Sequence, residues 1–482
     1  MQRWIKIGVL LTFSQLALAN DLISAFPMES YNQNVASWIK PTDLDYDKPL
    51  LSKEYQQQRY AEFYQRYYAS SAESSLSPWG SSYVNLLLSQ SENQNILTQE
   101  SQIITEFKTN HLTNPKKIAY GENYRPYDAR WFAKISANMD LAGVTSLKYS
   151  SSNRAIAVDN LFVRTLPTMD PLFYSSKIAG EGYPFDNLQE TALFIGMPLY
   201  IIKQSLDKEW SLVIASDDIG WVKTAGLARV NARFIKNWQK AAKAGVIAIT
   251  QQSALVDKLG RFRAMVYNGI SLPLSKQTTA NYEALIPVAN LQREAQILPV
   301  LVPKSAAAVM PLTLTPHNIA NIMQSQIGKP YGWGGMFFDY DCSAETKALF
   351  TPFGIYLPRN SQFQSSAGKT VVLDQLSSAE REQYLIKNGH KLLTLVQIPG
   401  HIMLYIGNYA NPNSLNHETI AMSYQNIWGL RTRENNSRAV LGGSVIFPLL
   451  SQYPEDPQLL SFYDQAARSK FRLIYLDKVA DK

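Results

Sequence analysis

Residues Tyr331 to Ala344 read YGWGGMFFDYDCSA, and Cys342 within them is the only cysteine among 482 residues. A Gly/aromatic turn comes first. The run from Ser343 to Phe350 has a helical pattern, so the thiol is expected at the first turn of a helix. Unpaired amides and the helix dipole favour an anion there and lower a thiol pKa. A lone cysteine is often just a small buried hydrophobe. The polar neighbours Asp341 and Ser343 and the preceding glycines argue for chemistry instead. A thiolate nucleophile needs a partner base, and the chain offers five histidines.

Working outward, GHIMLYIG at Gly400–Gly407 places His401 at the head of an apolar strand, straight after Pro399. A histidine there is well placed to project into a cleft. The next strand ends in YQNIWGLR, Tyr424–Arg431, which carries Gln425. Acyl transfer from an amide needs a nucleophile, a base and donors for the developing oxyanion. Cys342 supplies the first and His401 the second. The Cys342 amide, with the Tyr331 hydroxyl, supplies the third. Asp341 beside the thiol would oppose a thiolate, so it is read as a substrate contact. His417, in the polar loop 411–418, rivals Gln425 as the third polar residue. His111 and His390 read as surface residues and His317 as part of a helix start. Arg359 and Asn360, after Pro358, read equally as loop anchors or substrate contacts.

The rest of the chain indicates an exported, multidomain protein. Residues 1–19 have the form of a secretory signal: Arg3 and Lys6, an apolar run, then Ala17-Leu18-Ala19 as a cleavage site. That run is shorter than the roughly 20 residues a membrane span needs. No cysteine sits at the cleavage point, so no lipid-bearing cysteine is expected, nor stable membrane insertion once the signal is removed. One cysteine excludes an internal disulfide framework. The net charge of +7 suits an anionic polymer or surface, and no dense basic run or nucleic-acid motif accompanies it.

The fold class expected is α+β and multidomain. Residues 22–148 read as a helical N-terminal unit, with LSKEYQQQRYAEFYQRYY (Leu51–Tyr68) as an amphipathic helix and further helical pieces at 82–89, 96–109 and 127–141. Short strands punctuated by Pro, Gly and Asp predict a small barrel over 149–229 and a second over 245–304, joined by a helix, 230–244. Ala306–Ala308, between Pro303 and Pro311, reads as a linker. Residues 312–482 put helices before an antiparallel sheet, the order of a papain-like core.

The sequence resembles the NlpC-type cysteine peptidases of bacterial cell walls. The carrying residues are PYGWGG (Pro330–Gly335), DCS (Asp341–Ser343), FGIYLPRNS (Phe353–Ser361), GHIMLYIG and NIWGLR (Asn426–Arg431). FVRTLPT (Phe162–Thr168), EGYPFDNLQ (Glu181–Gln189) and GWV (Gly220–Val222) resemble the bacterial SH3-like domain of multidomain γ-D-glutamyl-diamino acid endopeptidases. The resemblance implies Cys342 as nucleophile, His401 as base and then acid, and Gln425 as the residue orienting the imidazole, where the family more often has histidine. It implies that Asp341 receives the substrate's free amine and that Tyr331 lies near the oxyanion or substrate cleft. It further implies a hydrolase acting on peptidoglycan stem peptides or muropeptides; the signal-like segment points to the periplasm or medium, and a monomer without metal or cofactor is expected. The first barrel would restrict the cleft to stems with a free N-terminal L-Ala. Two other classes stay open: a wall-binding protein whose catalytic domain has decayed, and an amidase or acyltransferase on the same core.

Overall fold

A computed structural model describes residues 25–69, 76–88, 95–141, 147–411, 418–465 and 470–480. The signal-like segment 1–19 and His417 lie outside the described residues. No helix among the described residues is long and apolar enough to cross a membrane.

The N-terminal helices form where the aromatic periodicity predicts them, each opened by a side chain that accepts from an otherwise unpaired amide. Ser52 caps Lys53–Tyr68, Asn95 caps Ile96–Thr113 and Asp128 caps Ala129–Met139. They do not build a core of their own. Phe26, Tyr31, Val35, Trp38 and Leu51 pack into the C-terminal core. Phe63, Tyr67, Tyr68 and Trp79 pack with Phe234 and Trp238 of the linking helix Ala232–Ala244. Ile96, Ile104, Phe132 and Met139 cover Trp210 and Trp221 of the first barrel. The stretch read as one helical unit therefore divides over three cores.

The first barrel is a seven-stranded sheet in the order 189–193, 161–164, 219–223, 210–214, 198–204, 154–157, 227–229. The second runs 262–266, 253–256, 295–303, 281–289, 271–277, 246–249, 307–309. Its last strand corrects the expectation of a linker at 306–308: Ala307–Val309 pairs antiparallel with Val246–Ile249. Alanines carry little strand propensity, and the pairing comes from a partner some sixty residues away, so composition alone hid it.

The C-terminal sheet has six antiparallel strands in the order 369–372, 472–475, 394–398, 401–410, 419–431, 438–449. Helices Pro316–Gln326, Cys342–Phe350 and Ser378–Asn388 accompany it, completing the α+β layout expected.

Candidate active site

Two local devices place the reactive groups. Asp341 is the N-cap of helix Cys342–Phe350, its Oδ1 accepting from the Ala344 amide at 2.9 Å, which makes Cys342 the first helical residue. Strand 394–398 meets strand 401–410 through the two-residue loop Pro399–Gly400, with Ile398 paired to His401. Gly400 has φ +72°; proline followed by a positive-φ glycine is the type II turn signature. That turn makes His401 the first residue of its strand.

The Gly/aromatic turn has a separate task. Gly334 and Gly335 have φ of +56° and +75°, and they lie against strand 189–193 of the first barrel. A Cβ at Gly334 would stand 2.5 Å from the Gln189 carbonyl oxygen, and one at Gly335 2.8 Å from the Ala192 nitrogen. Only glycine permits that approach. Gln189 Nε2 also donates to the Gly334 carbonyl at 2.8 Å. The barrel is thereby held beside the segment that leads into the cysteine.

His401 Nε2 lies 2.6 Å from Gln425 Oε1. Gln425 Nε2 donates to Ser423 Oγ at 2.9 Å, and Ser423 Oγ donates to the Phe447 carbonyl at 2.8 Å. This relay turns the glutamine oxygen toward the ring, so Nε2 is the protonated nitrogen and Nδ1 keeps its lone pair. Phe462 stacks on the imidazole at 5.9 Å and 17°. Cys342 and His401 share no hydrogen bond. They are neighbours through Ile402, whose backbone N–H reaches the Cys342 sulfur.

The electrostatics correct the expectation of a depressed thiol pKa. Cys342 is only 6% exposed. Burial, followed by the Asp341 charge, pushes the thiol up to about 12; the Ile402 amide, Arg359 and the Ser343 amide oppose this without overcoming it. Burial lowers His401 to about 4, against the Gln425 hydrogen bond and the Asp341 charge. Near neutrality the pair is therefore thiol and neutral imidazole. The helix start contributes, but desolvation outweighs it. Tyr331, half-buried, has its phenol pushed up by burial and then by Cys342 and Asp341, so it remains a donor.

Asp341 is already engaged within the chain. Arg359 Nη1 donates to Oδ1 at 2.9 Å and Nη2 to Oδ2 at 2.6 Å. The Gly334 and Ala344 amides and the Ser343 hydroxyl complete the set. With its lone pairs filled from within the chain, Asp341 has none to offer a substrate amine unless Arg359 is displaced. Arg359 also donates from Nε to Thr191 Oγ1 of the barrel at 2.6 Å, so this loop arginine joins the two units. Sequence reasoning left Arg359 undecided and missed Ser423, although Ser423 and Gln425 share one face of their strand by alternation. His317 pairs with Asp47, His390 with Asp477, and His111 accepts from the Ala119 amide.

Residues 328–435 match the NlpC/P60 family and residues 171–223 an SH3 domain of the SH3b1 type. The chain carries an NlpC/P60 domain. NlpC/P60 is a cysteine endopeptidase family, and Cys342, His401 and Gln425 all fall within the matched residues. The structure is similar to that of an NlpC/P60 endopeptidase from Photobacterium damselae subsp. piscicida, with TM-score 0.78 and 28% identity over 95% of this chain and 99% of that one. A probable endopeptidase of Corynebacterium glutamicum is 23% identical over 38% of this chain and 86% of its own length. A γ-D-glutamyl-L-lysine dipeptidyl-peptidase of Bacillus subtilis is 32% identical over 17% of this chain and 26% of its own length. The NlpC/P60 match ends before strand 438–449, which completes the sheet.

A cavity of about 70 Å³ lies behind the cysteine helix, lined in part by Ala344, Lys347 and Ala348. Neither Cys342 nor His401 lines it. From Tyr331, which interacts with Cys342, a chain of aromatic contacts leads to the first barrel: Trp428 lies 6.1 Å from Tyr331 and 5.8 Å from Phe185, and Phe185 5.1 Å from Trp333.

Proposed function

We propose that this protein is an exported cell-wall hydrolase that cuts the γ-D-glutamyl to diamino acid bond of peptidoglycan stem peptides through an acyl-cysteine intermediate. The observation that carries this is the Nε2–H to Gln425 hydrogen bond, which leaves Nδ1 with its lone pair on a histidine whose next residue, Ile402, meets the Cys342 sulfur through its amide. The NlpC/P60 match supports the reaction class, and the name of the Bacillus subtilis relative supports the bond.

In this reading, substrate binding brings the thiol and Nδ1 into contact. Sulfur attacks the γ-carbonyl carbon as its proton passes to Nδ1. The oxyanion takes hydrogen bonds from the Cys342 amide and the Tyr331 hydroxyl. The tetrahedral intermediate then expels the diamino acid amine, which takes the proton from the imidazolium. Water, deprotonated by Nδ1, attacks the thioester and releases the γ-D-glutamyl carboxylate and the thiol. Gln425 supplies orientation but no charge, so the imidazolium is stabilised less than a carboxylate would stabilise it. Phe185, on a loop of the first barrel, would wall one side of the cleft.

The test is digestion of L-Ala-γ-D-Glu-diamino acid tripeptide followed by mass spectrometry. The wild-type chain should yield L-Ala-D-Glu and free diamino acid, and Cys342→Ala should yield neither. Cleavage by Cys342→Ala at the wild-type rate overturns the proposal. Release of a different fragment would point to the amidase or acyltransferase reading.

A further inference from the structure

Beside the aromatic wall stands a pair of like charges that the reaction above does not use. Arg431, at the end of strand 419–431, is directly opposite Arg438 on strand 438–449. Side chains so placed in an antiparallel pair are about 5 Å apart at Cβ, and like charges there destabilise the pairing. Neither guanidinium takes part in an ion pair among the described residues. Arg438 donates to carbonyls, Nη1 to Ser437 at 2.9 Å and Nη2 to Ala179 at 3.3 Å. Arg431 Nε is buried without a partner. Lys117 and Arg438 both act on Glu181, the acid that faces them, but burial pushes that carboxyl up, against its ionised form. Burial, and after it the Arg431 charge, hold Arg438 below the usual guanidinium range.

The pair adjoins the barrel loop that also meets the aromatic side chains beside Tyr331. Tyr331 is close enough to Cys342 for the two groups to affect each other's ionisation, and it faces Trp428. Arg431 follows Trp428 by three residues on the same strand, about 10 Å along it at some 3.3 Å per residue, and by alternation it shares the face of Gln425 rather than that of Trp428. The barrel loop that supplies Phe185 to this wall also supplies the Ala179 carbonyl to Arg438. An extended peptide advances about 3.3–3.6 Å per residue, so two to three residues cover that distance.

We propose that Arg431 and Arg438 form an anion subsite for the carboxylate-bearing end of the stem peptide. The inference rests on the stem peptide being the substrate. An incoming carboxylate would relieve the repulsion between the two arginines and fill the open donor on Arg431. Charge-assisted, two-pronged recognition of a carboxylate is what guanidinium groups do best.

The test uses the full chain with Cys342→Ala, so that binding is read without turnover. Calorimetric Kd values are compared for L-Ala-γ-D-Glu-diaminopimelate-D-Ala as free acid and with the carboxylates of its last two residues amidated. With R431Q/R438Q added, the free acid should bind roughly 10- to 100-fold more weakly, while the amidated peptide is unaffected. R431K/R438K should recover part of the loss. Equal Kd values for the free acid with and without R431Q/R438Q overturn the subsite. So does arginine-dependent binding of a glycerol phosphate oligomer with no arginine dependence for the peptide. If R431Q/R438Q does not fold, R431Q alone carries the same comparison. Arginine-dependent binding of the free acid, combined with no cleavage by the wild-type chain, would keep the subsite and remove the hydrolase.

Discussion

At the residue scale, the local positions of the candidate site residues were legible because each is spelled out by a neighbour with a known conformational habit. Asp341 marks a helix start just before Cys342, and Pro399-Gly400 marks the turn that opens the strand of His401. The direction of the thiol's pKa was not legible, because it depends on burial and on the Asp341 charge, which a sequence does not display. Gln425 gives the sharpest test of the neutral pair. Gln425→Ala removes the acceptor for His401 Nε2–H and frees the tautomer. Losing one hydrogen bond to a group that becomes charged costs about 1.5–3 kcal/mol, so kcat should fall roughly 10- to 100-fold. Gln425→Glu puts a carboxylate on the ring and favours imidazolium. The acid limb of kcat/KM, expected near the His401 value of about 4, should then move up toward pH 6. The linkage for stability has its own sign. A histidine held below its unfolded value contributes stability that is present above about pH 6.5 and is lost as pH falls toward 4. Urea midpoints from pH 7 to pH 4 should therefore fall less in His401→Ala than in the wild type.

At the element scale, the cysteine helix depends on one carboxylate that serves as cap and as counter-ion together. Asp341→Asn keeps a competent cap but leaves the Arg359 guanidinium, with its side chain 12% exposed, without its charge partner. Breaking a buried pair from one side costs about 3–5 kcal/mol, and the denaturation midpoint should show it. The same substitution removes a charge that opposes the thiolate, so Cys342 in the folded protein should alkylate with iodoacetamide faster at pH 8. A slower rate would contradict the electrostatic account. Elements were legible where propensity and pattern agreed, as in Lys53–Tyr68 and His401–Ala410. Strand 438–449 escaped notice because Gly442-Gly443 interrupts it and Pro448 sits near its end. It is the edge of the sheet, where a proline costs no ladder hydrogen bond on its open side. That long-range position is not written in the local sequence.

At the scale of the whole molecule, the first barrel, the N-terminal helix Lys53–Tyr68 and the catalytic core meet at one buried carboxylate. Asp217 of the barrel accepts from Lys347 Nζ of the cysteine helix at 2.7 Å and from the Tyr356 hydroxyl. Arg66 of the N-terminal helix lies over the Tyr356 ring at 3.8 Å, and Lys347 over the same ring at 4.5 Å. The Asp217 and Lys347 side chains are 6% and 16% exposed. Burial lowers the Lys347 pKa, and Asp217 opposes that shift through its charge and hydrogen bond. Asp217→Ala would leave that ammonium buried and unpaired, at about 3–5 kcal/mol. Because the lost contacts join separate cores, the cost falls on their coupling as well as on the total. Scanning calorimetry should show the wild type unfolding with the barrel and catalytic core coupled, and Asp217→Ala with a lower first transition separating from a later one. Lys347→Met alone leaves Asp217 buried without its cation, whereas Asp217→Asn with Lys347→Met removes both charges and should restore much of the lost stability without restoring the ionic link. If Asp217→Ala melts like the wild type, this junction does not hold the units together, and the coupling rests on the Gly334–Gln189 contact and Arg359 instead.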